Sequence, residues 1–127
     1  DVAVVFPGNP YTNFEVAYWS VDNTLLISTT PSSASSSGAA AGSTSIGTAI
    51  TRQTNGFTLA VANMQEYVGN SGSITGAAGF TSRRSASANG GWNLVADASG
   101  TTAGAETVTA TFALNTKPLS VAAVHYR

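Results

Sequence analysis

Residues 45–65 read SIGTAITRQTNGFTLAVANMQ and decide the fold class of this chain. Large apolar residues recur on both sides of Asn55-Gly56, and Arg52 is the single charged residue. A helix is disfavoured, because Gly47 and Gly56 would each cost it about 1 kcal/mol relative to alanine. A membrane helix needs roughly 20 predominantly apolar residues, and Arg52 and Asn55 interrupt this run. The stretch is therefore neither a helix nor a membrane span.

Two strands joined by a tight turn fit the same stretch. An Asn-Gly pair readily adopts the positive φ angles of a type I′ turn and is a strong hairpin signal between strand-like runs. After this pair, Phe57, Leu59 and Val61 alternate with smaller residues, and a two-residue period places the larger side chains on one face of a strand. We therefore predict a β-hairpin over residues 46–64.

Short alternating runs also occur elsewhere, with turn residues between them. The clearest run is residues 107–114, in which Val108, Ala110, Phe112 and Leu114 share one face. Since no stretch shows a convincing helical period, we predict an all-β chain. A length of 127 residues suits one ordinary domain. We expect residues 1–127 to form a single antiparallel β-sandwich, similar to a jelly roll, with about eight strands.

Two low-complexity segments interrupt the alternation, at residues 31–44 and 98–105. Their Ser, Ala, Gly and Thr content predicts loops. For the longer one, the alternatives are a flexible loop and a loop that a neighbouring subunit orders. Because the sequence begins at Asp1 with a strand-like run, we expect either a processed product or a piece of a longer chain.

Charge and composition exclude several classes of partner. The net charge is −1, and 9% of the residues are charged. Five dispersed basic residues do not form the clustered patch that binds nucleic acid or an anionic membrane. The chain has no cysteine, and therefore neither a disulfide nor a thiolate metal site. The abundance of Ala, Ser, Thr and Gly is typical of secreted, cell-surface or virion proteins.

No catalytic, cofactor-binding or metal-binding residue can be assigned from the sequence. His125 is the single histidine, and we expect a structural strand residue, because acid–base catalysis needs a positioned partner. No nucleophile elbow, phosphate-binding loop or metal-ligand spacing is present. A glycosidase-type pair of carboxylates in space is left open but disfavoured. The carboxylates are Asp1, Glu15, Asp22, Glu66, Asp97 and Glu106.

The remaining candidates are a cluster of two arginines and the aromatic residues. We expect Arg83 and Arg84 to lie at a solvated edge or in an ion pair between subunits rather than in a phosphate site. Trp19 and Trp92 lie in alternating strands, which favours the core. Exposed aromatic rings could instead stack on a sugar, and the other candidates for that role are Tyr11, Tyr67 and Tyr126.

Several stretches together resemble small β-sandwich modules in virion proteins of tailed bacteriophages. The likeness covers residues 45–127 and rests on Ser45-Ile46-Gly47-Thr48-Ala49, the apolar strand 57–64, and the runs 92–97, 106–112 and 119–126. It implies a non-enzymatic structural role on a virion, as a capsid decoration or tail-associated subunit. Its expected partners are further copies of itself, or a major capsid or tail protein.

Two other functions stay open beside this one. The first is a secreted carbohydrate-binding module, with a glycan as ligand. The second is a subunit of an extracellular filament that donates residues 1–7 to the next subunit as a terminal strand. We expect no cofactor under any of the three.

Overall fold

The computed structural model describes residues 32–37, 43–64, 71–88, 91–114 and 119–126. The described residues form strands and turns, with no helix among them, and hence none long and apolar enough to cross a membrane. The strands are β1 (Ser32–Ser37), β2 (Ser45–Arg52), β3 (Gly56–Met64), β4 (Gly72–Thr75), β5 (Thr81–Ala88), β6 (Gly91–Thr101), β7 (Gly104–Phe112) and β8 (Leu119–Tyr126).

These strands form two antiparallel sheets, which confirms the predicted all-β sandwich. One sheet has five strands in the order β1-β8-β3-β6-β5, and the other has three in the order β2-β7-β4. Strands β1 to β4 alternate between the sheets along the chain, as do β6 to β8. This alternation is the jelly-roll pattern. Strands β5 and β6 interrupt the alternation, because they follow each other in the same sheet and pair with each other.

The predicted hairpin over residues 46–64 is wrong, although its two strands and its turn are present. Strand β2 pairs with β7, while β3 pairs with β6 and β8, so the turn crosses from one sheet to the other. The Gly56 N–H donates to the Gln53 carbonyl at 3.3 Å. The two central residues of this turn are Thr54 and Asn55, and of these Asn55 alone has a positive φ, 59°. A type I′ turn needs a positive φ at both central residues.

The core lies between the two sheets and draws on both. Phe112 and Val108 from β7 meet Leu94 from β6 and Leu119 from β8. The predicted alternation in β7 is confirmed up to Phe112, but Leu114 lies beyond the strand and is 55% exposed. The complete buried apolar cluster is Ile50, Ala60, Ala62, Met64, Ile74, Leu94, Ala96, Val108, Ala110, Phe112, Leu119, Val121 and Ala123.

Strand β3 turns its smaller residues inward and its larger residues outward. Thr58, Ala60 and Ala62 are buried, while Val61 is 38% exposed and Phe57 is half-buried. Met64 at the end of β3 is buried as well, and β8 turns Leu119, Val121 and His125 inward. These small residues lie in the same core as the larger side chains of Leu94 from β6 and Val108 and Phe112 from β7. The sequence period placed the larger residues of β3 on one face correctly, but that face is not the core.

Both predicted low-complexity loops are shorter in the structure. Residues 32–37 form β1, which pairs along its whole length with β8. Most of residues 98–105 belongs to the ends of β6 and β7, and Thr102 and Ala103 alone lie between these strands. Gly100 has a φ of 65°, a conformation that glycine adopts without strain. The predicted strand at residues 1–7 lies outside the described residues.

We predict that Phe112→Ala lowers the free energy of unfolding by about 3–5 kcal/mol, the usual cost of truncating a buried aromatic side chain. Thr111→Ala is the matched control, because Thr111 is the adjacent residue on the exposed face of the same strand. Urea denaturation measures both variants. Equal losses of stability would contradict the assigned faces of β7.

Candidate functional site

A cluster of polar residues is buried at the end of the sandwich where β2 crosses to β3. Arg52 ends β2 and Glu106 begins the inward-facing series of β7. Arg52 Nε and Glu106 Oε2 lie 2.9 Å apart, and the side chains are 7% and 0% exposed. Their relative orientation does not satisfy hydrogen-bond geometry, so the contact is an ion pair held by charge. We name Arg52, Thr58, Glu106 and His125 the end cluster.

Glu106 also binds the turn between β4 and β5. Its Oε1 accepts a hydrogen bond from the Ala78 backbone N–H at 2.7 Å. A side chain at Gly76 would collide with the same oxygen, so glycine is needed for this close approach. The carboxylate therefore has one oxygen on a cation and the other on a backbone donor, which is the pairing that a buried charge requires.

His125 lies inside the sandwich and connects β8 to β3 and to the β2–β3 crossover. Its Nε2 accepts a hydrogen bond from the Gln53 backbone N–H at 2.9 Å, and its Nδ1 lies 2.8 Å from Thr58 Oγ1. An accepting Nε2 carries no proton, so Nδ1–H is the donor to Thr58. Burial, and secondarily the charge of Arg52, lowers the pKa of His125, while Glu106 raises it to a lesser extent.

The crossover itself is also tied to β6. The Asn55 N–H donates to the Thr101 carbonyl at 2.7 Å, and Thr101 Oγ1 donates to the Gln53 carbonyl at 2.9 Å. An added Cβ at Gly56 would collide with the His125 ring. The end of the sandwich is thus closed by a hydrogen-bonded turn packed directly on an imidazole.

The end cluster has acid–base groups but no access to substrate. Arg52, Thr58, Glu106 and His125 are all buried, and each of the titratable groups already has a protein partner. Among the described residues, no three His, Asp or Glu side chains are placed to hold a metal ion. The end cluster can orient the strands that it joins, and its histidine can change its protonation state. We assign the cluster no catalytic step.

The second candidate is the outward surface of the five-stranded sheet, which we name the outer face. Val61 and Tyr126 are 38% and 36% exposed on it, and Tyr126 lies directly opposite Phe57. One end of the face carries a hydrogen bond from Asn63 Nδ2 to Asn93 Oδ1, 2.6 Å long. From the strand registers, the face comprises Phe57, Leu59, Val61, Asn63, Asn93, Val95, Asp97, Ser99, Ser120, Ala122, Val124 and Tyr126.

The one carboxylate of the outer face is neutralised within the chain. Arg83 donates to Asp97 through Nε at 2.6 Å and through Nη2 at 2.9 Å. These hydrogen bonds, together with the charge of Asp97, raise the pKa of Arg83. Arg83 is an extra residue opposite the partner strand, because the register of β5 shifts between Ser82 and Arg84. Such a bulge and its charges protect an edge strand from pairing with another sheet.

The structure brings together only some of the carboxylates, arginines and aromatic residues that the sequence analysis named as candidates. Asp97 and Glu106, the carboxylates within the described ranges, bind different arginines, and Glu106 is buried inside the sandwich. Trp92 is half-buried against the core and donates from Nε1 to Ser85 Oγ at 3.1 Å. The remaining candidates lie outside the described residues: Asp1, Tyr11, Glu15, Trp19, Asp22, Glu66 and Tyr67.

Sequence reasoning missed the partnership of Arg52 and Glu106. A signal for it exists, because each continues the inward-facing series of its strand. Arg52 follows Thr48 and Ile50 at two-residue spacing, and Glu106 precedes Val108 at the same spacing. A charge at a core position of an alternating strand predicts a buried partner of opposite charge.

Comparison with known proteins finds no family model, no curated protein and no solved structure that matches this chain.

We predict that Glu106→Gln lowers the free energy of unfolding by about 3–5 kcal/mol, because it leaves the buried Arg52 charge without its counter-charge. Asp97→Asn is the matched control. Its partner Arg83 is 56% exposed, so water can solvate that cation, and the expected loss is at most about 1 kcal/mol. Urea denaturation at neutral pH compares the two variants. A loss for Asp97→Asn as large as that for Glu106→Gln would contradict this account.

Proposed function

We propose that this chain is a non-enzymatic structural subunit of a virion, either a capsid decoration or a tail-associated β-sandwich. It works by binding neighbouring protein subunits, through contact surfaces rather than through a reactive site. The observation that carries the proposal is the outer face, where Phe57, Leu59 and Val61 of β3 lie beside Tyr126, Val124 and Ala122 of β8 on the side away from the core.

The outer face has the chemistry of a protein contact surface. Val61 and Tyr126 are more than a third exposed, and the face has no unpaired carboxylate, because Arg83 neutralises Asp97. Burying apolar surface contributes roughly 25 cal/mol per Å², and depletion of charge marks the centre of protein interfaces. The occupant that fits is another uncharged protein surface, and a second copy of this chain offers one.

Fold and composition support the virion setting. Jelly rolls recur in viral capsid proteins, although a fold by itself does not specify a function. With 9% charged residues, the chain has little electrostatic repulsion to oppose dense packing of copies. The likeness of residues 45–127 to bacteriophage modules points the same way.

A carbohydrate-binding module is the second candidate, and one observation favours it. Tyr126 and Phe57 lie opposite each other on neighbouring strands, and Tyr126 is exposed. A pair of aromatic rings on a sheet face is a surface on which a sugar ring can stack. Jelly rolls also include lectin domains. The predicted localisation for this candidate is extracellular or at the cell surface.

We predict that the purified chain self-associates and that Val61→Asp weakens the association at least about tenfold, because a carboxylate would be buried without a partner. Thr107→Asp is the matched control, since Thr107 is an exposed residue in the middle strand of the other sheet. Analytical ultracentrifugation over a range of concentrations measures both variants.

Two outcomes would contradict the structural-subunit proposal. One is a wild-type chain that stays monomeric and binds no bacteriophage particle. The other is a chain that binds a glycan on an array and loses that binding in Tyr126→Ala, which removes the aromatic ring and would favour the carbohydrate-binding module.

A further inference from the structure

His125 joins β8 to the β2–β3 crossover, and no strand pairing among the described residues joins β8 to β2. The residue belongs to β8, and its ring holds the Gln53 N–H of the crossover on one nitrogen and Thr58 of β3 on the other. Strand β2, which leads into the crossover, pairs with β7 and not with β8. The His125 imidazole thus links the crossover to the five-stranded sheet through a side-chain hydrogen bond.

The hydrogen bond from the Gln53 N–H to His125 Nε2 requires a neutral imidazole. A neutral imidazole has one donor nitrogen and one acceptor nitrogen, whereas an imidazolium has two donors and no acceptor. Protonating Nε2 would direct its N–H at the Gln53 N–H, and the hydrogen bond between them would be lost. Gly56 packs against Cε1 and Nε2 so closely that the space of a single Cβ is already filled, which prevents the ring from turning in that direction.

The charges around His125 also oppose a second cation. Arg52 from β2 disfavours protonation, and Glu106 from β7 favours it but is already occupied by Arg52 and the Ala78 N–H. Thr58 of β3, which contacts the ring, and Thr101 of β6, which contacts the crossover, are uncharged. A new positive charge inside this closed end therefore has no free carboxylate among the described residues to neutralise it.

We propose that His125 is an acid-sensitive latch, in which protonation of Nε2 releases the crossover formed by residues 53–56 from β8 while the two sheets stay paired. The crossover keeps its hydrogen bonds to Thr101, so the opening is a local displacement at one end of the sandwich. The latch is independent of the proposed function, because it involves none of the outer-face contacts.

The direction of the pH effect follows from linkage. The pKa of His125 in the closed protein lies below the ordinary value of 6.5, so the open form binds the proton more tightly. The latch is therefore closed above pH 6.5 and weakens as the pH falls from 6.5 towards the lower pKa of the closed form. Within that window one linked proton changes the closing equilibrium tenfold per pH unit.

Nuclear magnetic resonance of the wild-type chain tests the proposal. The Cε1–H signal of the single histidine reports its pKa, and amide hydrogen exchange reports opening at Gln53. We expect a pKa below 6.5 and a protection factor at Gln53 that falls up to tenfold per pH unit below 6.5. The amide of Phe112, which donates to the Thr44 carbonyl at 2.8 Å, is the internal control and keeps its protection.

Two variants separate the latch from a purely structural role. In His125→Gln, an amide oxygen can still accept from Gln53 but does not titrate, so protection at Gln53 no longer depends on pH. Thr58→Val keeps the imidazole and therefore keeps the pH dependence. If His125→Gln does not fold, the wild-type titration still decides. A His125 pKa of 6.5 or above, a pH-independent Gln53, or parallel loss of protection at Phe112 would overturn the proposal.

Discussion

The ion pair of Arg52 and Glu106 is the interaction on which the closed end of the sandwich depends. Removing two charges from water is costly, and their attraction offsets that cost only when each remaining polar atom finds a partner. Glu106 meets part of this condition by accepting from the Ala78 N–H. One carboxylate thereby connects the end of β2, the start of β7 and the turn before β5, and an arrangement that separated them would leave a buried charge unpaired.

The position of this pair also determines what His125 can do. The imidazole lies in the field of Arg52 and Glu106 and accepts the Gln53 N–H, so its neutral form belongs to the closed structure. Burial denies it access to a substrate. The side chains of the end cluster bind one another and the neighbouring turns, so they affect stability and local opening.

The apolar residues of the outer face are those that β3 and β8 do not contribute to the core. Leu94, Phe112 and Leu119 contribute large side chains to the core from β6, β7 and β8, whereas β3 contributes Thr58, Ala60 and Ala62 beside Met64. Phe57, Leu59 and Val61 of β3 point outward, next to Tyr126, Val124 and Ala122 of β8. The outer face is thus apolar at the centre of the five-stranded sheet, and it is the surface on which the proposed function rests.

The sequence by itself determined the strands, because side-chain alternation is a local property of extended backbone. The all-β class and the strand at residues 107–112 were predicted from this alternation. The turn at Asn55 was predicted from the Asn-Gly pair. Pairing is not local, so the two strands beside Asn55 were predicted as a hairpin although they join different sheets. A two-residue period also cannot say which face is the core when both faces are apolar, as in β3. Arg52, Glu106 and His125 lie far apart in the chain, and the tertiary structure alone brought them together, because antiparallel registers between distant strands set which side chains meet.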